Sequence, residues 1–285
     1  MHRSSRRFRK PAFLVSALLL VALLGGAQEI QPSAHPSHRP TIWHPPLNTS
    51  WQWQLPTPVK QDVKARMYDI DMFDNDASVV ASLHQKGRKV VCYISVGTWE
   101  NWRPDAKKFP KSVLGEDVAG WPGEKWLDIS RIDMLGPIMK ARMEMCRAKG
   151  FDGMEPDNVD GYTNDSGFPL TYDDQIAYNT FIAKEAHARG LSVGLKNDLD
   201  QIADLLSSFD WALDEQCFQY TECSKLLPFI KADKAVFEVE YFLRPSKFCP
   251  EANSLNFNSM KKHLSLGAYR VPCRCGRAIL VSSEG

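Results

Sequence analysis

This 285-residue chain carries almost no net charge: 35 Lys and Arg oppose 34 Asp and Glu, a formal +1. That balance argues against a binder of nucleic-acid polyanion. There is no G-x-G-x-x-G and no Walker A loop, so the usual Gly-rich cradles for dinucleotides and nucleotides are missing. H-E-x-x-H and G-x-S-x-G are also missing, which weighs against metalloprotease and serine-hydrolase chemistry. The one long apolar run, Ala12 to Leu24, is shorter than the roughly 20 residues that span a bilayer. With 17 Gly, 18 Pro and 44% hydrophobic residues, neither a low-complexity polymer nor a disordered chain is expected, and a sizeable core can form.

What is present at the N-terminus reads as an export signal. Arg3, Arg6, Arg7, Arg9 and Lys10 precede the apolar run, and Gly25-Gly26-Ala27 supplies the small residues a signal peptidase accepts. Cleavage is expected after Ala27, giving a secreted, extracellular protein with no membrane association once the signal is removed. Residues 28–48 contain Pro32, Pro36, Pro40, Pro45 and Pro46 and read as a flexible leader, with one folded domain over 49–285. Removing residues 1–27 leaves 30 Lys and Arg against 34 Asp and Glu, a net charge of −4.

Seven cysteines in an exported chain favour disulfides over zinc. Cys217 with Cys223, Cys92 with Cys146, and Cys249 with either Cys273 or Cys275 are the candidate pairs, and the odd count leaves one thiol over.

From Trp51 onward, short β-type runs alternate with helical stretches, the pattern of βα units on a parallel sheet. The strand candidates are Trp51–Leu55, Arg66–Asp71, Lys89–Ser95, Trp126–Ile129, Phe151–Asp157, Leu191–Asn197, Trp211–Gln216 and Ala235–Tyr241, with Ala268–Pro272 as a further strand-like piece. Helices are expected over Asp133–Lys149 and over Thr171–Arg189, the second N-capped by Thr171. Lys86-Gly87, Lys149-Gly150 and Arg189-Gly190 read as three helix ends, each a cation near the last turn followed by a left-handed glycine. Eight strands in about 250 residues match an α/β fold of the (β/α)8 TIM-barrel type as a single domain. An open doubly wound sheet is the alternative.

A barrel places its active site at the C-terminal strand ends, and these ends are acidic. In Phe151-Asp-Gly-Met-Glu-Pro-Asp157 the period of two puts Glu155 and Asp157 on one face, with Asp157 at the rim. Glu215 shares a face with Trp211 and Leu213, where burial beside apolar groups can keep an acid protonated. Glu240 shares a face with Glu238 and competes with Glu215 for that role. Asp157, Glu215 and Glu240 are therefore the catalytic candidates for a paired-carboxylate hydrolase. Glu155, Asn158, Lys196, Asn197, Asp198 and Asp69 are expected to hold the substrate. Among eight tryptophans, Trp51 and Trp99 are candidates to stack on sugar rings, against a core-packing alternative.

Several stretches together resemble the TIM-barrel domain of glycoside hydrolase family 114: Trp51-Gln-Trp-Gln54, Tyr68-Asp-Ile-Asp71, Cys92-Tyr-Ile-Ser95, Gly150-Phe-Asp-Gly-Met-Glu-Pro-Asp-Asn158 with Val159-Asp-Gly-Tyr162, Gly194-Leu-Lys-Asn-Asp198 and Glu215-Gln-Cys-Phe218. The resemblance covers about Trp51 to Cys249. It implies a secreted endo-α-1,4-polygalactosaminidase that acts without a cofactor on a polysaccharide substrate, as a monomer, with Asp157 an essential carboxylate. An exo-acting α-galactosidase and a non-catalytic glycan-binding barrel are the competing expectations.

Overall fold

The computed structural model describes residues 42–274; the signal-peptide assignment, most of the leader and Cys275 lie outside them. Eight parallel strands follow one another in the sheet in chain order: β1 (Trp51–Gln54), β2 (Met67–Asp71), β3 (Lys89–Ser95), β4 (Gly153–Asp157), β5 (Ser192–Lys196), β6 (Trp211–Glu215), β7 (Val236–Glu240) and β8 (Asn258–Lys261). Between them run the helices of a (β/α)8 barrel, including α1 (Ala77–Gln85), α2 (Ile132–Lys149), α3 (Tyr172–Ala188) and α4 (Pro245–Ser254). Thr171 caps α3 in a capping box with Asp174, and Gly87, Gly150 and Gly190 all adopt the left-handed conformation after their helices.

One strand expectation needs correction. The run around Trp126–Ile129 is not a barrel strand: Glu124–Leu127 is the centre of a three-stranded antiparallel insert, flanked by Thr98–Glu100 and Leu114–Asp117, between β3 and α2. The eighth barrel strand is instead Asn258–Lys261, whose Asn-Ser-Met-Lys sequence offers one apolar side chain and hence almost no β signal. Its position depends on neighbours, through β7 on one side and the short antiparallel strand Val271–Pro272 on the other.

Two separate apolar clusters result. One lies between sheet and helices; the other fills the barrel itself with Trp51, Trp53, Met67, Val91, Trp211, Leu213, Phe237, Val239 and Met260. Gly194 on β5 has no side chain because the Trp211 ring occupies that space: a Cβ there would sit 2.3 Å from the indole. Trp211 Nε1 donates to Ser192 Oγ at 3.0 Å, and its ring meets Phe237 edge-on at 5.5 Å. Trp43, before the first strand, also packs against this inner cluster.

The β1–β8 seam is closed by side chains. Trp51 Nε1 donates to Asn258 O at 2.7 Å, Lys262 Nζ donates to Trp53 O and Gly267 O, and Arg270 donates to Trp51 O. The Trp51, Trp53 and Asn258 oxygens are strand carbonyls that a ladder across the seam would otherwise satisfy. Three disulfides pin the periphery: Cys92–Cys146 ties β3 to α2, Cys217–Cys223 closes the loop after β6, and Cys249–Cys273 ties α4 to the C-terminal strand region.

Candidate active site

Strand parity determines which side chains reach the barrel mouth. On β4 the inward positions are Gly153, Glu155 and Asp157; on β6 they are Trp211, Leu213 and Glu215; on β5, Lys196 ends the inward row. These ends converge on one ammonium group. Lys196 Nζ lies 2.9 Å from Asp157 Oδ1, 3.0 Å from Glu215 Oε2 and 3.3 Å from Glu155 Oε1, with the Trp53 ring 5.0 Å away. Lys196 is only 2% exposed.

Asp157 is held at both oxygens. Its Oδ1 accepts from Lys196 Nζ and from the Asn158 amide at 2.9 Å, and Oδ2 accepts from the Tyr93 hydroxyl at 2.8 Å. Burial alone would raise its pKa, but the Lys196 charge and these hydrogen bonds outweigh burial and hold the carboxyl below its ordinary value. Asn158 is in the left-handed region (φ +62°), and its side chain accepts from Ser95 Oγ at 2.9 Å and Thr98 Oγ1 at 3.2 Å. Gly97 makes that turn possible, since a Cβ there would fall 1.6 Å from the Asn158 carbonyl oxygen. Asn158 thus orients Asp157 through its backbone.

Glu215 is similarly framed. Asn197 Nδ2 donates to its Oε2 at 3.1 Å, the Glu215 amide donates back to Asn197 Oδ1 at 2.9 Å, and Tyr241 OH donates to Oε1. Both Asp157 and Glu215 retain partial solvent access, so these two carboxyls open to the barrel mouth.

Other expected residues fall elsewhere. Glu240 is 0% exposed and points away from the barrel interior, where its Oε1 accepts from the Phe218 and Gln219 amides at 3.0 Å each, capping the helix after β6. Burial raises its pKa, opposed by those two amides. It is no partner for Asp157. Asp69 and Glu155 lie inside the barrel beneath Lys196, sealed from solvent, so neither can touch a sugar directly. Burial, reinforced by Glu155, drives the Asp69 pKa well up; burial also raises Glu155, although Lys196 opposes it. Trp51 is 2% exposed in the barrel filling and cannot stack on substrate. Trp99 packs against the outer core, and its Nε1 donates to Ala106 O at 3.0 Å. Asp198 lies to one side of the pair, with Oδ2 accepting from Asn179 Nδ2 at 2.9 Å.

Two contributors escaped the reading of strand-end acids, Tyr93 and Tyr241. Parity was the available signal: Tyr93 shares the inward face of Val91 and Ser95, and Tyr241 continues the inward row Phe237, Val239.

Residues 32–278 match the family model of glycoside-hydrolase family GH114. The crystal structure of Aspergillus fumigatus Ega3 in complex with galactosamine superposes with a TM-score of 0.78 at 43% identity, covering 82% of this chain and 98% of that one. The glycoside hydrolase domain of PelA from Pseudomonas aeruginosa shares the fold, with a TM-score of 0.62 at 12% identity over 80% of this chain and 98% of that domain. An uncharacterised Deinococcus radiodurans protein is 27% identical over 204 residues, 62% of this chain and 65% of its own length.

Proposed function

Because the chain belongs to glycoside-hydrolase family GH114, we propose that it is a secreted glycosidase that hydrolyses α-1,4-linked galactosamine polysaccharide, with Asp157 and Glu215 as the catalytic pair. The observation that carries this reading is the single ammonium of Lys196 shared between the two carboxyls at the mouth.

Their roles follow from their surroundings. Asp157, with its pKa held down by Lys196 and hydrogen bonds, is the ionised nucleophile. That leaves Glu215, the other carboxyl open at the mouth, as the acid and then the base. The Glu215 proton passes to the glycosidic oxygen as the C1–O bond breaks and Asp157 bonds to C1. Water, deprotonated by Glu215, then displaces Asp157 from C1. The bridged oxygens lie 2.9 and 3.0 Å from one nitrogen, so they are separated by less than those lengths laid end to end, about 5.9 Å. That limit favours the retaining arrangement, about 5–5.5 Å between carboxyls, over the roughly 6.5–9.5 Å of inverting enzymes.

Galactosamine polymer is favoured by the ligand of the Aspergillus relative and by charge. With residues 1–27 removed the chain carries −4, and the mouth is rich in acids; a de-N-acetylated amino-sugar polymer is a polycation that such a field attracts. Three disulfides fit an oxidising, extracellular setting.

The test is release of new reducing ends from polygalactosamine, with raffinose as the control for exo-acting α-galactosidase. Asp157→Asn and Glu215→Gln should each lower the rate by at least about a thousandfold. With azide, Glu215→Ala should yield a glycosyl azide. Equal activity in Asp157→Asn would overturn the assignment, and free galactose from raffinose would replace the substrate.

A further inference from the structure

The antiparallel insert between β3 and α2 sets two glutamates opposite each other, Glu100 and Glu124. Glu100 has a cation: Arg103 Nε donates to its Oε2 at 2.8 Å, and the same guanidinium is bound to Asp71. Glu124 is only 9% exposed, yet among the described residues no Lys, Arg or His pairs with it. Its carboxyl meets the Thr98 hydroxyl instead, with Oε2 3.2 Å from Oγ1. From there a row of oxygens leads to the mouth. Thr98 Oγ1 is in contact with Ser95 Oγ, and Ser95 Oγ lies 2.9 Å from Asn158 Oδ1. Asn158 in turn supplies the backbone amide that holds Asp157 Oδ1 at 2.9 Å.

The row has three oxygen–oxygen contacts, Glu124–Thr98, Thr98–Ser95 and Ser95–Asn158, and two hydroxyls to fill them. Each contact needs one hydrogen between its oxygens. Ser95 and Thr98 are buried, so neither hydroxyl can turn to bulk water. Asn158 Oδ1 is an acceptor only, and Ser95 Oγ already accepts from the Thr98 amide at 3.2 Å. The third hydrogen therefore comes from the Glu124 carboxyl: Glu124 donates to Thr98, Thr98 to Ser95 and Ser95 to Asn158. With Glu124 ionised, the Thr98 hydrogen turns to the carboxylate and the Thr98–Ser95 contact is left with none. The row is then completed only if the Asn158 side-chain amide turns over to present its NH2 group, the reverse direction of donation.

We propose that Glu124 is a positioning residue for hydrolysis: as a neutral acid it starts the hydrogen-bond row through Thr98 and Ser95 that fixes the Asn158 side chain, and with it the left-handed turn whose amide holds Asp157. Asn158 at φ +62° needs such an anchor, because its backbone conformation is strained for a residue with a side chain. The effect on rate rests on the reading of Asp157 as nucleophile; the proton on Glu124 does not.

Electrostatics agrees with the hydrogen count. Burial pushes Glu124 up to about 7, helped by the charges of Glu100 on the neighbouring strand and Asp157 on β4, against the Thr98 hydrogen bond and Arg103. Asp157 is itself bonded to Lys196 and Tyr93. Below pH 7 the row is intact. Above it, ionised Glu124 reverses the row and adds a negative charge near Asp157. The proton is also linked to stability: an unfolded glutamate loses it near 4, whereas folded Glu124 keeps it to about 7, so ionisation of this residue destabilises the fold progressively as pH rises between those values.

The experiment compares wild type with Glu124→Gln, Glu124→Ala, Thr98→Val and the Glu124→Ala/Thr98→Val pair, reading kcat/KM on polygalactosamine from about pH 5 to 9 and the urea midpoint from about pH 4.5 to 7. Thermal unfolding shows which variants are folded. Wild type should lose rate through an ionisation near pH 7 that is absent in Glu124→Gln, whose amide N–H replaces the acid hydrogen and retains most of the rate. Glu124→Ala and Thr98→Val should each fall about tenfold or more, and the pair should fall less than about twofold below Thr98→Val, since one break already interrupts the row. The urea midpoint of wild type should drop relative to that of Glu124→Gln as pH rises. Superimposable pH–rate profiles for wild type and Glu124→Gln, a Glu124→Gln as slow as Glu124→Ala, or fully additive losses in the pair overturn the positioning role. Parallel urea midpoints for wild type and Glu124→Gln remove the proton from Glu124 and sink the row while leaving the glycosidase reading standing. Unchanged hydrolysis in Asp157→Asn sinks the nucleophile assignment instead, and the urea midpoints still decide whether Glu124 carries the proton.

Discussion

Replacing Lys196 by Met removes one charge from a site where three carboxylates depend on it. The substitution keeps much of the side-chain volume under the Trp53 ring, so the loss is electrostatic. Lys196 is 2% exposed and within 3.3 Å of Glu155, Asp157 and Glu215. Burial would lower its pKa, but those carboxylates more than reverse this and hold it well above the usual lysine range. Deleting one member of a buried ion pair costs about 3–5 kcal/mol, because the charges left behind stay desolvated and unpaired. For a domain of this size that corresponds to a fall in Tm of roughly 6–20 °C. The loss must depend on pH. In wild type the depressed Asp157 contributes stability that is present above the unfolded carboxyl value, about 4, and lost as pH falls through the lower folded value. In Lys196→Met the stranded carboxyls acquire raised pKa values, so their destabilisation grows as pH rises from about 4. Urea unfolding at pH 5 and pH 7, followed by tryptophan fluorescence, should show a larger deficit at pH 7. A deficit below about 1 kcal/mol at pH 7, or one as large at pH 5, would refute the assignment of Lys196 as the counter-charge of the site.

Three other perturbations separate structural from catalytic roles. Glu240→Gln keeps an oxygen for the Phe218 and Gln219 amides and should leave the hydrolysis rate within about threefold of wild type; a loss matching Asp157→Asn would return Glu240 to the reaction. Replacing Cys92 and Cys146 together by Ala opens a 54-residue separation and should cost about 4 kcal/mol in guanidinium unfolding, an unmoved midpoint being the contrary result. Lys262, buried in the seam, has its pKa lowered to about 7 by burial and Arg270, so the unfolded chain binds more protons between about pH 7 and 10 and stability rises with pH across that window. Lys262→Met should flatten that rise between pH 7 and 9.5, and an unchanged slope would count against it.

Much of the frame was legible because it is local. The period of two along Phe151–Asp157 places Glu155 and Asp157 on one face whatever surrounds them, and β4 ends at Asp157 with both inward. The cation–Gly junctions ended helices because the left-handed turn depends on the glycine backbone alone. The pairing of Cys217 with Cys223 followed from a six-residue separation.

The same alternation says nothing about which face is the barrel interior. A parallel barrel strand is buried on both sides, so its two faces look alike in hydrophobicity. Glu240 and Glu215 occupy equivalent strand ends, yet one caps a helix in the outer layer and the other faces the mouth. Trp51 carried an aromatic signal that fits a sugar platform and a barrel filling equally, and its neighbours Phe237 and Asn258 lie far along the chain. Sequence by itself determined the βα rhythm, the acidic strand ends and the place of Asp157 at the rim of β4. Only the tertiary structure decided that Lys196 gathers Asp157 with Glu215, because that meeting depends on the curvature and closure of eight strands, a property no local segment contains.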